Sequence, residues 1–110
     1  MKYQLVVTPQ ARADIDRNAD WWAAHHSVLE AVEWVRTVYS QLDDLEQFPQ
    51  SCSLSQEHER FPFELRDKLV GKGASRRYRA IFTIDGGTVI VLTVRAAEEG
   101  DLNPSDLAAS

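Results

Sequence analysis

The chain has 110 residues, of which 44% are hydrophobic and 26% charged, and its formal net charge is −5. A chain of that length forms one domain with a single modest core, and the ordinary apolar content argues against disorder. No apolar run is long enough to span a membrane, and the N-terminus has no signal-peptide pattern, so we expect a cytoplasmic protein. The single cysteine, Cys52, cannot form an intrachain disulfide or a thiolate zinc cluster.

The charges are distributed unevenly along the chain. Residues 1–63 carry a net charge of −5, residues 64–95 a net charge of +4, and residues 96–110 a net charge of −4. The acidic total argues against nucleic-acid binding driven by the field of the whole protein. The basic middle segment is compatible with one anionic contact surface, although its arginines could equally solubilise an exposed sheet and pair with acidic helices.

The N-terminus predicts a strand followed by a helix. Residues 2–7 form a short apolar run typical of a strand. Thr8 and Pro9 are suited to the N-cap and the first helical position of a helix that should run to about His25. Apolar residues follow at helical spacing, at Ala11, Ile15, Ala19, Trp22 and Ala23.

A second helix is predicted directly after the first. Ser27 and Glu30 form a capping-box pattern at its start, and Pro49 prevents its continuation. Its apolar stripe comprises Val28, Ala31, Val32, Val35, Val38, Tyr39, Leu42 and Leu45. Trp34 lies near the edge of this stripe. Because so few residues separate the two helices, they should form an antiparallel hairpin.

The second half of the chain predicts three strands. Residues 50–62 are polar and form a loop, residues 63–70 alternate as a half-buried strand does, and residues 71–75 form a flexible connection. Residues 76–95 form an antiparallel hairpin, because Asp85-Gly86-Gly87 supplies the turn chemistry between two β-branched runs.

The predicted fold is an α+β domain. It consists of an N-terminal strand, an antiparallel helix hairpin and a three-stranded antiparallel meander, all in one sheet with the helices on one face. The domain should span residues 1–95. Residues 96–110 are acidic, are broken by Gly100 and Pro104, and should form a poorly ordered tail.

Strict alternation of side chains assigns the two faces of the sheet. The bulkier face is assigned to the helices and carries Tyr78, Ala80, Phe82, Ile84, Val89 and Val91. The second face carries Arg77, Arg79, Ile81, Thr83, Thr88, Ile90, Leu92 and Val94. If the preceding strand turns its apolar residues inward, the second face also receives Glu64, Arg66 and Lys68. An open surface of cations and aliphatic side chains is typical of a partner-binding site.

The ordered combination of several segments resembles the RelE/ParE superfamily of bacterial toxins. The resemblance covers about residues 3–102 and is carried by TPQARADID, FELRDKLVG, the YR pair within RRYRAIF, the FTIDGGTVIVL hairpin and VRAAEEGDL. These toxins belong to type II toxin–antitoxin modules and include plasmid-stabilisation proteins. The resemblance implies a compact toxin, a cognate antitoxin that covers its open sheet and helices, and contact with operator DNA only through that antitoxin.

The resemblance implies one of two activities. RelE-like members cleave mRNA in the ribosomal A site, whereas ParE-like members poison DNA gyrase and are not nucleases. RNA cleavage requires cations at the scissile phosphate and groups that transfer protons. The chain keeps Arg66 and Arg79 of the nuclease pattern, but it has Glu64 where lysine is favoured, AAEE at residues 96–99 where nucleases are basic, and no tyrosine after Tyr78.

These departures favour a gyrase inhibitor over a ribosome-dependent mRNA endonuclease. In the endonuclease alternative, Arg66 and Arg79 would stabilise the scissile phosphate. An inactive toxin homologue that retains antitoxin binding is a second alternative, and a homo-oligomer is compatible with all three. We expect no cofactor, no metal and no membrane partner.

The residues predicted to contact the antitoxin or the target are Arg66, Lys68, Arg77, Arg79, Ile81, Ile90 and Leu92. Arg79 is the strongest of them, and a structural pairing with an acidic group is its alternative role. Arg95 falls on the helix side in a simple register and should pair with a helix carboxylate unless a bulge turns it. His25 and His26 are adjacent, so they cannot share a helix face as two metal ligands would.

Overall fold

The computed structural model describes residues 2–73, 78–99, 102–104 and 106. The elements in chain order are β1 (Gln4–Val7), α1 (Pro9–His25), α2 (Val28–Asp43), β2 (Arg66–Val70), β3 (Tyr78–Asp85) and β4 (Thr88–Ala96). Short 3-10 turns lie between α2 and β2, at Asp44–Glu46, Pro49–Ser51 and His58–Arg60. The predicted α+β order of elements is confirmed.

Both helices begin at the predicted caps. The Thr8 hydroxyl accepts the backbone N–H of Ala11 at 3.1 Å, and the Ser27 hydroxyl accepts that of Glu30 at 3.1 Å. Each bond satisfies an N–H that has no partner inside its own helix. The second helix ends at Asp43, earlier than the proline at position 49 requires, because a 3-10 turn replaces its last predicted turn.

One four-stranded sheet has the order β1-β4-β3-β2. The outer strand β1 runs parallel to β4, whereas the pairs β2–β3 and β3–β4 are antiparallel. Asp85 pairs with Thr88, so Gly86 and Gly87 form the two-residue turn that the sequence predicts. Gly86 has a φ of +59°, and this conformation is strained for any residue that has a Cβ atom.

The turn gives a stability prediction with a matched control. Gly86→Ala should lower the free energy of unfolding by about 1 kcal/mol, because alanine is strained at positive φ. Gly87→Ala should cost less, since its φ is not positive, and a Cβ at either glycine meets nothing within 4 Å. Urea unfolding of the two variants measures the difference, and equal losses would contradict the assignment of strain to Gly86.

The core lies between the helix hairpin and one face of the sheet. Its buried members are Ala11, Ile15, Trp34, Val38, Leu42, Leu45, Val70, Tyr78, Ala80, Phe82, Val89, Val91 and Val94. Trp34 is 1% exposed and packs edge-on against Tyr78 with ring centroids 4.9 Å apart. The second helix is therefore rotated from the predicted stripe: Trp34 faces the sheet, and Val28 and Val32 face outward. None of the described helices is long and apolar enough to cross a bilayer.

A β-bulge in β4 corrects the predicted faces of the last strand. Phe82 pairs with Val91 and Ile81 with Thr93, which leaves Leu92 as an extra residue. Beyond the bulge the alternation is reversed. Val94, predicted on the second face, is fully buried in the core under the helices.

The bulge also moves Arg95. Its guanidinium approaches Glu99 at 3.8 Å and Asp106 at 4.0 Å, both C-terminal carboxylates. The simple register, which places Arg95 on the helix side, is therefore wrong. The bulge is what turns Arg95 to the other face of the sheet.

Asp14 of α1 holds the bulge in place. Its carboxylate is 2% exposed, and Oδ2 accepts the Thr93 hydroxyl and the Val94 backbone N–H, the latter at 3.2 Å. Oδ1 accepts Gln10 at 2.9 Å and Arg17 at 3.2 Å. The helix and the bulged strand are thus joined by one buried acceptor.

The strand β2 has the opposite phase from the one predicted. Arg66, Lys68 and Val70 pair with residues of the helix face of β3, so they share that face. Leu69 lies on the second face and is 52% exposed. The prediction that Arg66 and Lys68 join the second face is wrong, because Val70 rather than Leu69 fills the core position opposite Tyr78.

Candidate partner-binding site

The second face of the sheet, opposite the helices, contains a buried charge network. Arg79, which is 8% exposed, donates from Nη1 and Nη2 to the two carboxylate oxygens of Glu57 at 3.0 and 2.8 Å. Its Nη1 also donates to Asp67 Oδ2 at 3.0 Å. Glu57 is fully buried and comes from the loop between α2 and β2. The strongest sequence candidate is therefore paired with two carboxylates, which is the arrangement that its alternative role requires.

The network shifts the pKa values of its members. Burial raises the pKa of Glu57, but hydrogen bonds from Arg79 and from the Leu102 backbone N–H outweigh burial and lower it to about 2. The hydrogen bond to Glu57 raises the pKa of Arg79 above its ordinary value, against the effect of burial. Both groups are thus ionised at neutral pH.

An apolar cluster lies beside the network on the same face. We call it the second-face cluster: it comprises buried Leu65, Ile81 and Leu102 with half-buried Phe61 and Leu92 packed against them. Leu102 belongs to the stretch that the sequence predicts as a poorly ordered tail, yet it is 1% exposed. The second face is consequently closed over Ile81 rather than open, because the loop and the C-terminal residues cover it.

The two cations of β2 are separated from Arg79. The guanidinium of Arg66 donates to the carbonyls of Cys52 at 2.6 Å and Gln50 at 3.3 Å, and it approaches Glu64 at 3.7 Å. These bonds fasten the loop to the strand. Burial raises the pKa of the Cys52 thiol, which the charges of Lys68 and Arg66 partly offset.

The remaining predicted contacts have different exposures. Arg77 lies outside the described residues. Ile90 and Leu92 are half-buried. Ile90 pairs with Val6 of β1, which is 45% exposed, so this half of the second face is the accessible half.

The helix hairpin has an exposed apolar surface. Val28, Leu29 and Val32 are 69%, 67% and 41% exposed. They adjoin a groove of about 370 Å³ between the helices, which Ala19 and Ala23 also line. Contiguous apolar surface of this kind is typical of partner contacts. The sequence contains a signal for this surface in Leu29, an apolar residue outside the predicted stripe of the second helix.

The histidines of the helix hairpin make aromatic contacts. His25 stacks on Trp21 with ring centroids 4.4 Å apart, and His26 stacks on Trp22 at 4.6 Å. Within the described part of the chain, no group of three or more His, Cys, Asp or Glu side chains is placed to hold a metal ion.

The sequence and the fold can be compared with those of known proteins. Residues 5–100 match the family model described as the ParE toxin of the type II toxin–antitoxin system parDE. The chain belongs to the ParE toxin family. Membership implies a cognate antitoxin as partner of this toxin. No curated protein matches the sequence significantly.

Two solved structures share the fold of this ParE-family toxin. One is from the chromosomal ParDE toxin–antitoxin system of P. aeruginosa, with 21% identity and a TM-score of 0.72 over 88% of this chain and 98% of that chain. The other is an arginine-substituted mutant of the E. coli toxin RelE in the free state, with 18% identity and a TM-score of 0.53 over 99% of this chain and 93% of that chain. The family match confirms the predicted superfamily, and these two structures confirm the predicted fold class.

Proposed function

We propose that this toxin inhibits DNA gyrase by protein–protein contact, in the cytoplasm, and that its cognate antitoxin holds it inactive. The proposal follows the ParE-like branch of the superfamily. It excludes the ribosome-dependent cleavage of mRNA that RelE-like members perform.

The state of Arg79 carries the proposal. An arginine that stabilises a scissile phosphate must present its guanidinium to that phosphate. Arg79 instead donates hydrogen bonds to Glu57 and Asp67, and it is 8% exposed. Two carboxylates beside the guanidinium would also repel a phosphate, so the arrangement supports a structural role.

The other nuclease positions agree with this interpretation. Arg66 is bonded to loop carbonyls on the opposite face from Arg79, so the two arginines do not converge on one phosphate. Glu99 follows β4 and lies near Arg95, where it accepts the Ala96 backbone N–H at 3.1 Å. The C-terminal region therefore presents carboxylates where RNA cleavage favours cations.

The proposal is tested by pulse-labelling DNA and protein synthesis in a bacterial host just after this chain is induced alone. We expect DNA synthesis to fall first and protein synthesis to follow late. Purified toxin should also block supercoiling of relaxed plasmid by purified gyrase. Co-expression of the cognate antitoxin should abolish the effect on synthesis in the host. A chain truncated by an early stop codon is the induction control.

An early fall in protein synthesis with cleaved mRNA would overturn the proposal and favour the endonuclease alternative. In that case Arg66→Ala should abolish cleavage, with Lys68→Ala, on the same face of the same strand, as its matched control. If neither synthesis falls while the antitoxin still binds the chain, the inactive-homologue alternative is correct.

A further inference from the structure

A cavity of about 590 Å³ lies between the helix hairpin and the end of the sheet at which β3 begins and β4 ends. Its volume falls in the range of roughly 300–1,000 Å³ that is typical of small-molecule sites. The described residues that line it include no member of the charge network around Arg79 and none of the second-face cluster. The cavity is therefore separate from the surface considered above.

Four aromatic side chains form a wall of the cavity: Trp21, Trp22, Trp34 and Tyr78. Trp22 Nε1 donates to the Tyr78 hydroxyl at 3.1 Å. Trp21 and Trp22 meet edge-on with ring centroids 5.4 Å apart, and Trp34 and Tyr78 do so at 4.9 Å. The rings hold one another in place, so little side-chain entropy is lost when a ligand binds against them.

The two residues that follow β2 also line the cavity, and both are fastened to α2. The Gly71 backbone N–H donates to Gln41 Oε1 at 2.8 Å, and Gln41 Nε2 donates to the Gly71 carbonyl at 3.0 Å. Lys72 Nζ bonds to the carboxylate of Glu33. The one ammonium group among the described lining residues is thus already paired with a carboxylate.

Glu98 supplies a carboxylate to the lining, and its side chain is exposed. In the described part of the chain no cation lies within ion-pair distance of it, whereas the next residue, Glu99, pairs with Arg95. Asn18 donates from Nδ2 to the Asp14 carbonyl at 2.8 Å, which leaves its Oδ1 available as an acceptor. Aromatic rings, an amide oxygen and a carboxylate together favour a cation over an anion.

We propose that this cavity binds a small organic cation, namely an ammonium or guanidinium group that carries apolar substituents. The aromatic rings attract such a cation electrostatically, Glu98 balances its charge, and its apolar substituents displace water from the rings. A free molecule and a basic side chain of another protein both carry this group, so the experiment distinguishes the two sources. The proposal does not depend on gyrase being the target.

The first probe is choline, titrated into the isotope-labelled full chain, and the comparison is its neutral analogue in which carbon replaces the quaternary nitrogen. The chain has three tryptophans, and all three line the cavity. Their indole N–H signals in a nitrogen–proton correlation spectrum therefore report on the cavity walls. We expect choline to shift these signals with a Kd at least about tenfold lower than that of the neutral analogue.

Two exposed positions test the site without disturbing the core. Trp21, which is 47% exposed, contributes an aromatic ring, and Trp21→Leu should weaken choline binding about threefold to fivefold. Glu98→Gln should weaken it about threefold, because an exposed carboxylate contributes modestly. The matched controls are Phe48→Leu and Glu59→Gln, which replace exposed residues outside the lining and should leave the Kd unchanged. Circular dichroism verifies that each variant is folded.

Lysine and arginine blocked at both backbone ends represent a basic side chain within a protein. A lower Kd for either of them than for choline would assign the site to a side chain of another protein, and the reverse order would assign it to a free molecule. Equal affinities for choline and its neutral analogue would overturn the proposal. So would Kd values for choline that neither Trp21→Leu nor Glu98→Gln raises.

Discussion

Replacing Glu57 with alanine is expected to lower the free energy of unfolding by about 3 kcal/mol, because the buried guanidinium of Arg79 loses its bidentate partner. Asp67 remains 3.0 Å from Arg79 and keeps the loss at the lower end of the range for a broken buried pair. The Leu102 backbone N–H loses its acceptor as well. A loss of that size is a large share of the 5–15 kcal/mol by which a domain is typically stable.

Urea unfolding at pH 7 measures the effect, with Glu59→Ala as the matched control in the same loop. Glu59 is exposed, so its replacement should change stability by less than about 0.5 kcal/mol. The double variant Glu57→Leu with Arg79→Met should cost less than Glu57→Ala alone, since no charge is then left without its bidentate partner. Equal losses for Glu57→Ala and Glu59→Ala would show that the network contributes nothing.

The Glu57 carboxylate also determines how the stability of the chain depends on pH. Its pKa is about 2 in the folded chain and 4.5 as a model value, so folding favours the ionised form. This contribution is fully present above about pH 4.5 and is lost as the pH falls towards 2, and it amounts to about 3 kcal/mol. The stability gap between the unmodified chain and Glu57→Ala should therefore narrow on acidification.

The features that the sequence predicts correctly are those that local chemistry decides. Thr8 and Ser27 cap helices with their own side chains, and each bonds to an N–H only three residues away. The turn at Gly86 needs a positive φ that glycine supplies without strain. The order of elements and the helix side of β3 follow from such signals together with apolar periodicity.

The features that the sequence does not predict depend on contacts between residues that are distant in sequence. The bulge at Leu92 is held by Asp14, about 80 positions away, so alternation within the strand gives no sign of it. Glu57 is one of several polar residues in its loop, and only the fold shows that it meets Arg79. Burial of such a carboxylate is rare unless it is paired.

The C-terminal residues on the second face carry a local signal in the sequence. Asn103 and Pro104 suit the cap and the first position of a helical turn, with Asp106 at the third position. The structure has residues 104 and 106 in helical conformation, and the Asp106 carboxylate accepts the Asn103 N–H. A proline directly after asparagine therefore fits the start of a helical turn.

Replacing Asp14 with alanine is the second large effect that we expect, a loss of about 3 kcal/mol in the free energy of unfolding. The change leaves the Val94 backbone N–H and the Thr93 hydroxyl buried without their acceptor, and each unsatisfied group costs about 1–3 kcal/mol. Because the bulge aligns β4 beyond Leu92, the variant should also loosen Arg95 and the segment that it faces.

Asp16→Ala is the matched control, since Asp16 lies on the exposed side of the same helix. Urea unfolding gives the stability difference, and amide hydrogen exchange shows where it arises. Faster exchange should be concentrated in β4 after Leu92 for Asp14→Ala and absent for Asp16→Ala. A uniform increase in exchange rate along all four strands would mean that Asp14 does not act through the bulge. The strand pairing of Ile81 and Phe82 would then set the bulge and the side of the sheet on which Arg95 lies.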